Sequence, residues 1–149
     1  MNFQRLYFLR EDKDLTQEQM AKILNVSRVA ISQWESNKEI IPLQKLNMYS
    51  NYFNVSLDYI VGLSDKKDSN NSNIILDKNL IATRLKEFRN KFNITQEQLA
   101  SELNTSHSTI SAYESGKTLI LTGFAYAIAS KYGISLDWIC GKTQWIIYM

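Results

Sequence analysis

The sequence predicts an all-α protein made of two tandem five-helix units joined by a short polar linker. Three observations carry that expectation. Thr16-Gln17-Glu18-Gln19-Met20-Ala21 returns as Thr95-Gln96-Glu97-Gln98-Leu99-Ala100, and at the same offset of 79 residues, without a gap, Arg5 to Gly62 matches Arg84 to Gly141. Apolar residues recur at three- and four-residue spacing between polar capping residues, the mark of helices that bury one face. Only one proline is present, and strand-like alternation is scarce. The copies place the units at 1–63 and 77–149, with 64–76 between them.

Leu6, Leu9 and Arg10 share one face of a first helix that breaks at Asp12-Lys13-Asp14. Thr16 with Gln19 three residues on has the capping-box pattern, and Met20, Ile23 and Leu24 form the apolar face of a second helix. Ala21 suits close approach of another helix. Asn25-Val26-Ser27 leaves room only for a tight turn, and Ser27 caps a third helix from Arg28 to about Ser36. Asn37 stands where a left-handed C-cap is expected; its repeat partner Gly116 is better suited to that conformation. Pro42 opens a fourth helix over Leu43 to Phe53, and Ser56 caps a short fifth one ending at Gly62. Ser64 to Asn73 has no apolar residue and reads as a flexible linker. Asp77 caps the first helix of the second unit. The closing Trp145-Ile146-Ile147-Tyr148-Met149 has no counterpart after Gly62.

Units of about 60 residues fold alone only marginally, but 44% apolar residues among 149 supply a core. The single cysteine, Cys140, excludes an internal disulfide framework and suits a reducing compartment. No apolar run spans a bilayer and no leader pattern opens the chain, so a soluble cytoplasmic protein is expected. The net charge is only +2. Lys and Arg equal Asp and Glu through Leu63 (7 against 7), and Asp77 to Met149 carries 8 against 6. A nucleic-acid role therefore rests on local placement of charge.

On the third helix Ile31, Trp34 and Glu35 share one face and point inward. Arg28, Val29, Ser32 and Gln33 lie opposite, where no core needs them. Arg pairs bidentately with guanine O6 and N7, and Gln with adenine N6 and N7, so this face fits the major groove. A capped helix, a three-residue turn and a second capped helix form the helix-turn-helix arrangement. With Leu15-Thr16-Gln17-Glu18-Gln19-Met20-Ala21, Val26-Ser27, Ile31-Ser32-Gln33-Trp34-Glu35 and Val55-Ser56-Leu57-Asp58-Tyr59, both units resemble the lambda-repressor-like (Xre/Cro) family of DNA-binding domains. The resemblance covers all but the linker and the tail.

The resemblance implies two five-helix lambda-repressor-like domains. It also implies base contacts from the head of the third helix, phosphate contact by Gln17, and a structural ion pair between Arg10 and Glu35, repeated as Arg89 and Glu114. The DNA-facing set expected in the first unit is Gln17, Ser27, Arg28, Val29, Ser32, Gln33 and Lys38. In the second it is Gln96, Ser106, His107, Ser108, Thr109, Ser111 and Lys117. Neither the Arg nor the outward Gln of the first helix-turn-helix recurs in the second, so the two would read different bases. Thr118-Leu119-Ile120-Leu121 also replaces Glu39-Ile40-Ile41-Pro42 in a loop that the family keeps polar, which points to packing against another surface.

The expected function is sequence-specific binding of a double-stranded DNA operator, as a bacterial or phage-type repressor. The competing reading is a protein-binding module on the same fold, an antitoxin or an inhibitor of a host protein. The apolar loop and tail keep open a homodimer through the second unit or another protein partner; the tail could equally fold back on its own unit. His107 is the sole histidine, so no His-based metal cluster forms. No phosphate loop or activated nucleophile is visible, and neither an enzyme nor a cofactor is expected.

Overall fold

The computed structural model of the protein describes residues 1–67 and 73–147. Residues 68–72 of the expected linker, and Tyr148 and Met149 of the tail, lie outside the described residues. Ten α-helices and no β-sheet form among the described residues, and the chain divides into two compact units between Asn73 and Ile74. The first unit holds α1 (Gln4–Asp12), α2 (Gln17–Leu24), α3 (Arg28–Glu35), α4 (Leu43–Phe53) and α5 (Leu57–Ile60). The second holds α6 (Lys78–Lys91), α7 (Gln96–Glu102), α8 (His107–Glu114), α9 (Thr122–Tyr132) and α10 (Leu136–Ile139).

The helix starts follow the capping chemistry written in the sequence. Thr16 accepts from the Gln19 amide while its own N–H donates to the Gln19 side chain, and Thr95 and Gln98 repeat both bonds. Each cap satisfies two backbone donors that a helix start otherwise leaves without partners. Ser56, Asp77 and Ser135 cap α5, α6 and α10 as single acceptors. After α3, Asn37 adopts φ 61°, and Gly116 follows α8 at φ 77°. The left-handed turn is common to both units, but its side chain is not. Asn37 Oδ1 accepts from the Phe3 amide at 3.1 Å and ties the start of α1 to the end of α3.

In the first unit α1 and α2 pack on α3, and α4 packs on α2 and α5. Leu6, Met20, Leu24, Ile31, Leu46 and Ile60 are sealed at this junction with no solvent exposure. In the second unit α6 and α7 pack on α8, and α10 on α6 and α9, around Leu85, Phe88, Ile110 and Ile128.

Through each core runs one charged contact. Arg10 Nε and Nη2 donate to the Glu35 carboxylate at 2.7 and 2.9 Å, and Nη1 donates to the Leu15 carbonyl at 2.7 Å. Arg89 treats Glu114 (2.9 and 3.0 Å) and the Ile94 carbonyl (3.1 Å) in the same way. One guanidinium thus joins the first helix, the loop before the second and the third helix. The hydrogen bond to Glu35 is the main cause that holds Arg10 above its ordinary pKa, against the opposing effect of burial. Tyr49 is fully buried near this pair, and its hydroxyl has no hydrogen-bond partner among the described residues. The second unit has Ile128 at the matching position.

The repeat extends further in space than in sequence. The Ser56 amide donates to the Lys67 carbonyl at 3.2 Å, and the Ser135 amide, 79 residues on, to the Ile146 carbonyl at 2.6 Å. Arg5 Nη1 donates to the Tyr59 and Ser64 carbonyls with its guanidinium over the Tyr59 ring. Arg84 does so to Trp138 and Thr143, over the Trp138 ring. The segment after Gly141 therefore does have a counterpart after Gly62, contrary to the expectation from the side chains. Backbone groups make these contacts, so side-chain identity is free to differ. Ser64 to Lys67, at the start of the expected linker, lie against the first unit through the same bonds.

The second unit has a tie of its own. Phe88, Phe92 and Tyr132 pack edge to face or tilted with centroids 4.9–5.4 Å apart. The Tyr132 hydroxyl donates to Glu102, which also pairs with Lys131 at 3.2 Å. Burial, followed by the bond to Glu102, pushes the Tyr132 phenol up to about 12. The same hydrogen bond, then Lys131, draws the Glu102 carboxyl below its ordinary value against a smaller opposing effect of burial.

Two outcomes follow from these contacts. Arg10→Met should destabilise the protein by about 3–5 kcal/mol in urea unfolding, because it strands a buried carboxylate, and adding Glu35→Leu should recover most of that loss. Equal stability of the single and double variants would contradict it. For Tyr132, the raised phenol contributes stability below the unfolded value near pH 10 that is lost as pH rises toward 12. The lowered Glu102 contributes stability above the unfolded value of about 4.3 that is lost as pH falls through its folded value. The Tm advantage of the parent over Tyr132→Phe should thus be greatest between pH 6 and 9 and shrink at both ends.

Candidate nucleic-acid interface

The surface most suited to nucleic acid is built on the α2–turn–α3 corner and its repeat α7–turn–α8. At the first corner Asn25 turns left-handed (φ 55°), and the Val26 amide closes the turn on the Ala21 carbonyl at 2.9 Å. Asn tolerates this region better than other residues with a Cβ. Lys45 from α4 donates to the Leu24 carbonyl at 2.9 Å, where a helix C-terminus favours positive charge. The Ser27 hydroxyl accepts from the Ala30 amide at 3.1 Å and the Ser106 hydroxyl from the Thr109 amide at 3.2 Å, so both serines start the third helix of their unit.

With Ile31 and Trp34 buried and Glu35 turned in to Arg10, the opposite face of α3 is turned out. Arg28 and Val29 are exposed, Ser32 and Gln33 partly so, and Lys38 is exposed on the loop beyond. In the second unit His107, Ser108 and Lys117 are exposed, and Thr109 and Ser111 partly so. The Ser106 hydroxyl lies 3.0 Å from that of Ser108 and 2.9 Å from that of Thr109, a hydroxyl cluster at the head of α8.

Gln17 sits between the core and this surface. Its Nε2 donates to Glu35 Oε1 at 3.2 Å, and its Oε1 accepts from Arg28 Nη1 at 3.3 Å. Gln96 makes the same bridge, with Nε2 3.2 Å from Glu114 Oε1 and Oε1 2.7 Å from His107 Nε2. Each unit therefore has a continuous chain: Arg10, Glu35, Gln17, Arg28 in the first, and Arg89, Glu114, Gln96, His107 in the second. The buried carboxylate only accepts, so the amide nitrogen must face it and the amide oxygen must face outward. That polarity leaves the second N–H of each amide outside this bond and gives the head of the third helix a fixed acceptor. In the sequence Gln17 reads as a surface residue; its second role as a bridge emerges only in the fold.

Three further residues, Lys45, Arg5 and Arg84, position these elements. Lys45 has no repeat partner of its kind (Phe124 stands there) and carries no sequence signal. Arg5 and Arg84 do carry one, being identical at the repeat offset, but nothing local says that their partners are carbonyls more than 50 residues away.

Because the cap hydroxyls satisfy backbone donors, Ser27→Ala and Ser106→Ala should each lower unfolding free energy by about 1 kcal/mol in urea titration. No change at either position would mean that the side chain has no capping role.

The helix-turn-helix family HTH_3 matches residues 6–60 and again residues 85–139. The chain is 45% identical over 58 residues to the HTH-type transcriptional activator BcrR of Enterococcus faecalis, covering 39% of this chain and 28% of that protein. It is 37% identical over 68 residues to the uncharacterized HTH-type transcriptional regulator YobD of Bacillus subtilis (strain 168), covering 46% and 61% of the two chains. An uncharacterized HTH-type transcriptional regulator of Archaeoglobus fulgidus is 42% identical over 55 residues, covering 37% and 78%. The chain thus spans less than two thirds of the first two relatives. No solved structure matches it. No helix among the described residues is long and apolar enough to cross a membrane. Two capped helix-turn-helix corners, each within a family match of its own, make this chain a member of the Xre/lambda-repressor-like helix-turn-helix family, with the domain present twice in this chain.

Proposed function

We propose that the protein is a sequence-specific, double-stranded DNA-binding transcriptional regulator that represses by occupying an operator. The observation that carries this reading is the outward Arg28 at the head of α3, held by Gln17 against a buried ion pair. An arginine whose approach is set before binding loses less freedom when it pairs with guanine. The first domain, residues 1–63, is the main reader through Arg28, Val29, Ser32 and Gln33, with Gln17, Ser27 and Lys38 toward the phosphates. The second, residues 77–149, offers His107, Ser108, Thr109 and Ser111 to bases and Gln96, Ser106 and Lys117 to the backbone. A covalent pair with unlike third helices reads an asymmetric site as a monomer. The sign of regulation is testable by reporter transcription, since the Enterococcus faecalis relative is named an activator.

A second reading has its own support. Leu121, Trp145 and Ile147 of the second unit are 61%, 68% and 56% exposed, and apolar surface of this kind suits a homodimer or another protein partner. Selection of duplexes from random DNA, combined with the solution mass, separates the readings. An asymmetric motif bound by a monomer supports the covalent pair. A palindrome bound by a dimer assigns the second domain to dimerisation, and a stoichiometric protein partner with no enriched DNA assigns the fold to protein binding.

Within the first reading, Arg28→Ala should relax preference at one base position, at a cost of about 1–3 kcal/mol for the best site. Lys38→Ala should weaken all duplexes alike and reduce the slope of log K against log salt by about 1. An Arg28→Ala protein with unchanged base preference would remove α3 as the reader.

A further inference from the structure

We infer that the exposed face of α1, with the cleft it borders, is a docking surface of the first domain for a short basic segment of a partner protein. In that segment arginine or lysine alternates with apolar residues. The inference goes beyond DNA reading, and it concerns a surface other than the exposed apolar groups of the second unit.

α1 packs on α3 with Leu6, Leu9 and Arg10 turned in. On its other side Gln4, Tyr7, Phe8 and Glu11 follow at three- and four-residue steps, and all four are exposed. Tyr7 is 41% and Phe8 49% exposed, and their rings meet edge to face with centroids 5.5 Å apart. The repeat supplies an internal control. At the same offset of 79 residues stand Lys86 and Glu87, both exposed, on a helix that carries the equivalent ion pair between Arg89 and Glu114. The fold therefore does not require aromatic rings at these two places.

Beyond Glu11 the helix face runs into a cleft of about 600 Å³, with Asp14 and Glu18 on its walls and Gln17 and Arg28 at its edge. Arg10 also borders it, but the Glu35 carboxylate at 2.7 Å already balances that guanidinium. Three carboxylates thus face Arg28, and the cleft carries an excess of negative charge beside the aromatic pair. In the second unit Asn90 and Asn93 replace Glu11 and Asp14. Both halves of the surface, the rings and the acidic excess, belong to the first unit.

A guanidinium or ammonium group is attracted both to carboxylates and to aromatic rings, and its methylene stem packs on apolar surface. Apolar residues between the cations would cover Tyr7 and Phe8. Duplex DNA and anionic lipid are repelled by the same carboxylates, so a basic protein segment is the occupant that fits. The nine residues of α1 extend about 14 Å, which matches a short segment and a transient contact.

The experiment is an amide chemical-shift titration of the full chain with a capped peptide of alternating arginine and leucine. A second peptide carries glutamate in place of arginine. Saturable shifts on α1 and around Asp14 and Glu18 are expected with the basic peptide, and none there with the acidic one. Tyr7→Lys combined with Phe8→Glu leaves net charge unchanged and takes the residues that the second unit carries. It should weaken binding about tenfold. Glu11→Asn combined with Asp14→Asn should weaken it by about as much and make the remainder insensitive to salt. Absence of saturable binding, shifts spread equally over the acidic residues of both units, or equal affinity of either double variant would overturn the inference. Equal binding of the acidic peptide would do the same. None of these outcomes bears on DNA reading, which the selection from random duplexes tests separately.

Discussion

A bidentate guanidinium–carboxylate contact, made once in each unit, is the constraint around which the rest is arranged. Arg10 grips Glu35, and Arg89 grips Glu114, with the remaining guanidinium nitrogen on the carbonyl of the loop before the second helix. Buried ion pairs of this type add little net stability relative to apolar packing, because both charges must leave water. Their value here is geometric. Two parallel hydrogen bonds fix distance and angle together, which apolar contacts between α1 and α3 would not do. The angle of α3 relative to α2 follows, and with it the surface that α3 presents.

The same carboxylate also governs the surface chemistry. Glu35 and Glu114 accept from Gln17 and Gln96, and each glutamine passes its orientation outward to the first residue of the third helix. The scaffold up to that amide oxygen is the same in both units. The side chain that meets it is not: a guanidinium in one and an imidazole in the other. A support shared by both units lets the residue at the head of the third helix differ, Arg28 in one and His107 in the other, while the core ion pair stays the same.

The divergence elsewhere obeys a similar division. Tyr49 and Ile128 exchange within the core, Asn37 and Gly116 at the left-handed turn, and Lys67 and Ile146 at the end of each unit. At the turn and at the unit ends the backbone function is retained while the side chain varies, and in the core one buried side chain replaces another. At the turn the reason is steric: only residues that tolerate a positive φ serve, and Asn and Gly both do. At the unit ends the reason is that a backbone carbonyl does the bonding.

Much of this architecture was legible in the chain because it is local. Helix periodicity, the Thr16–Gln19 and Thr95–Gln98 boxes, the serine caps and the left-handed Asn or Gly act over three to five residues, and the repeat confirmed each of them at a second address. The Arg10–Glu35 pair was legible because charge identity at both ends recurs at the same offset. By itself, then, the sequence determined the all-α class, two helix-turn-helix units, their core faces and the outward faces of α3 and α8. Only the tertiary structure decided how the interior reaches those faces. The Gln17 bridge, the Lys45 contact with α2, the Arg5 and Arg84 carbonyl clamps and the match of Lys67 with Ile146 join groups that are distant in the chain. They depend on the direction of a lone pair or an N–H, and direction is a property of the packed helices, not of residue type.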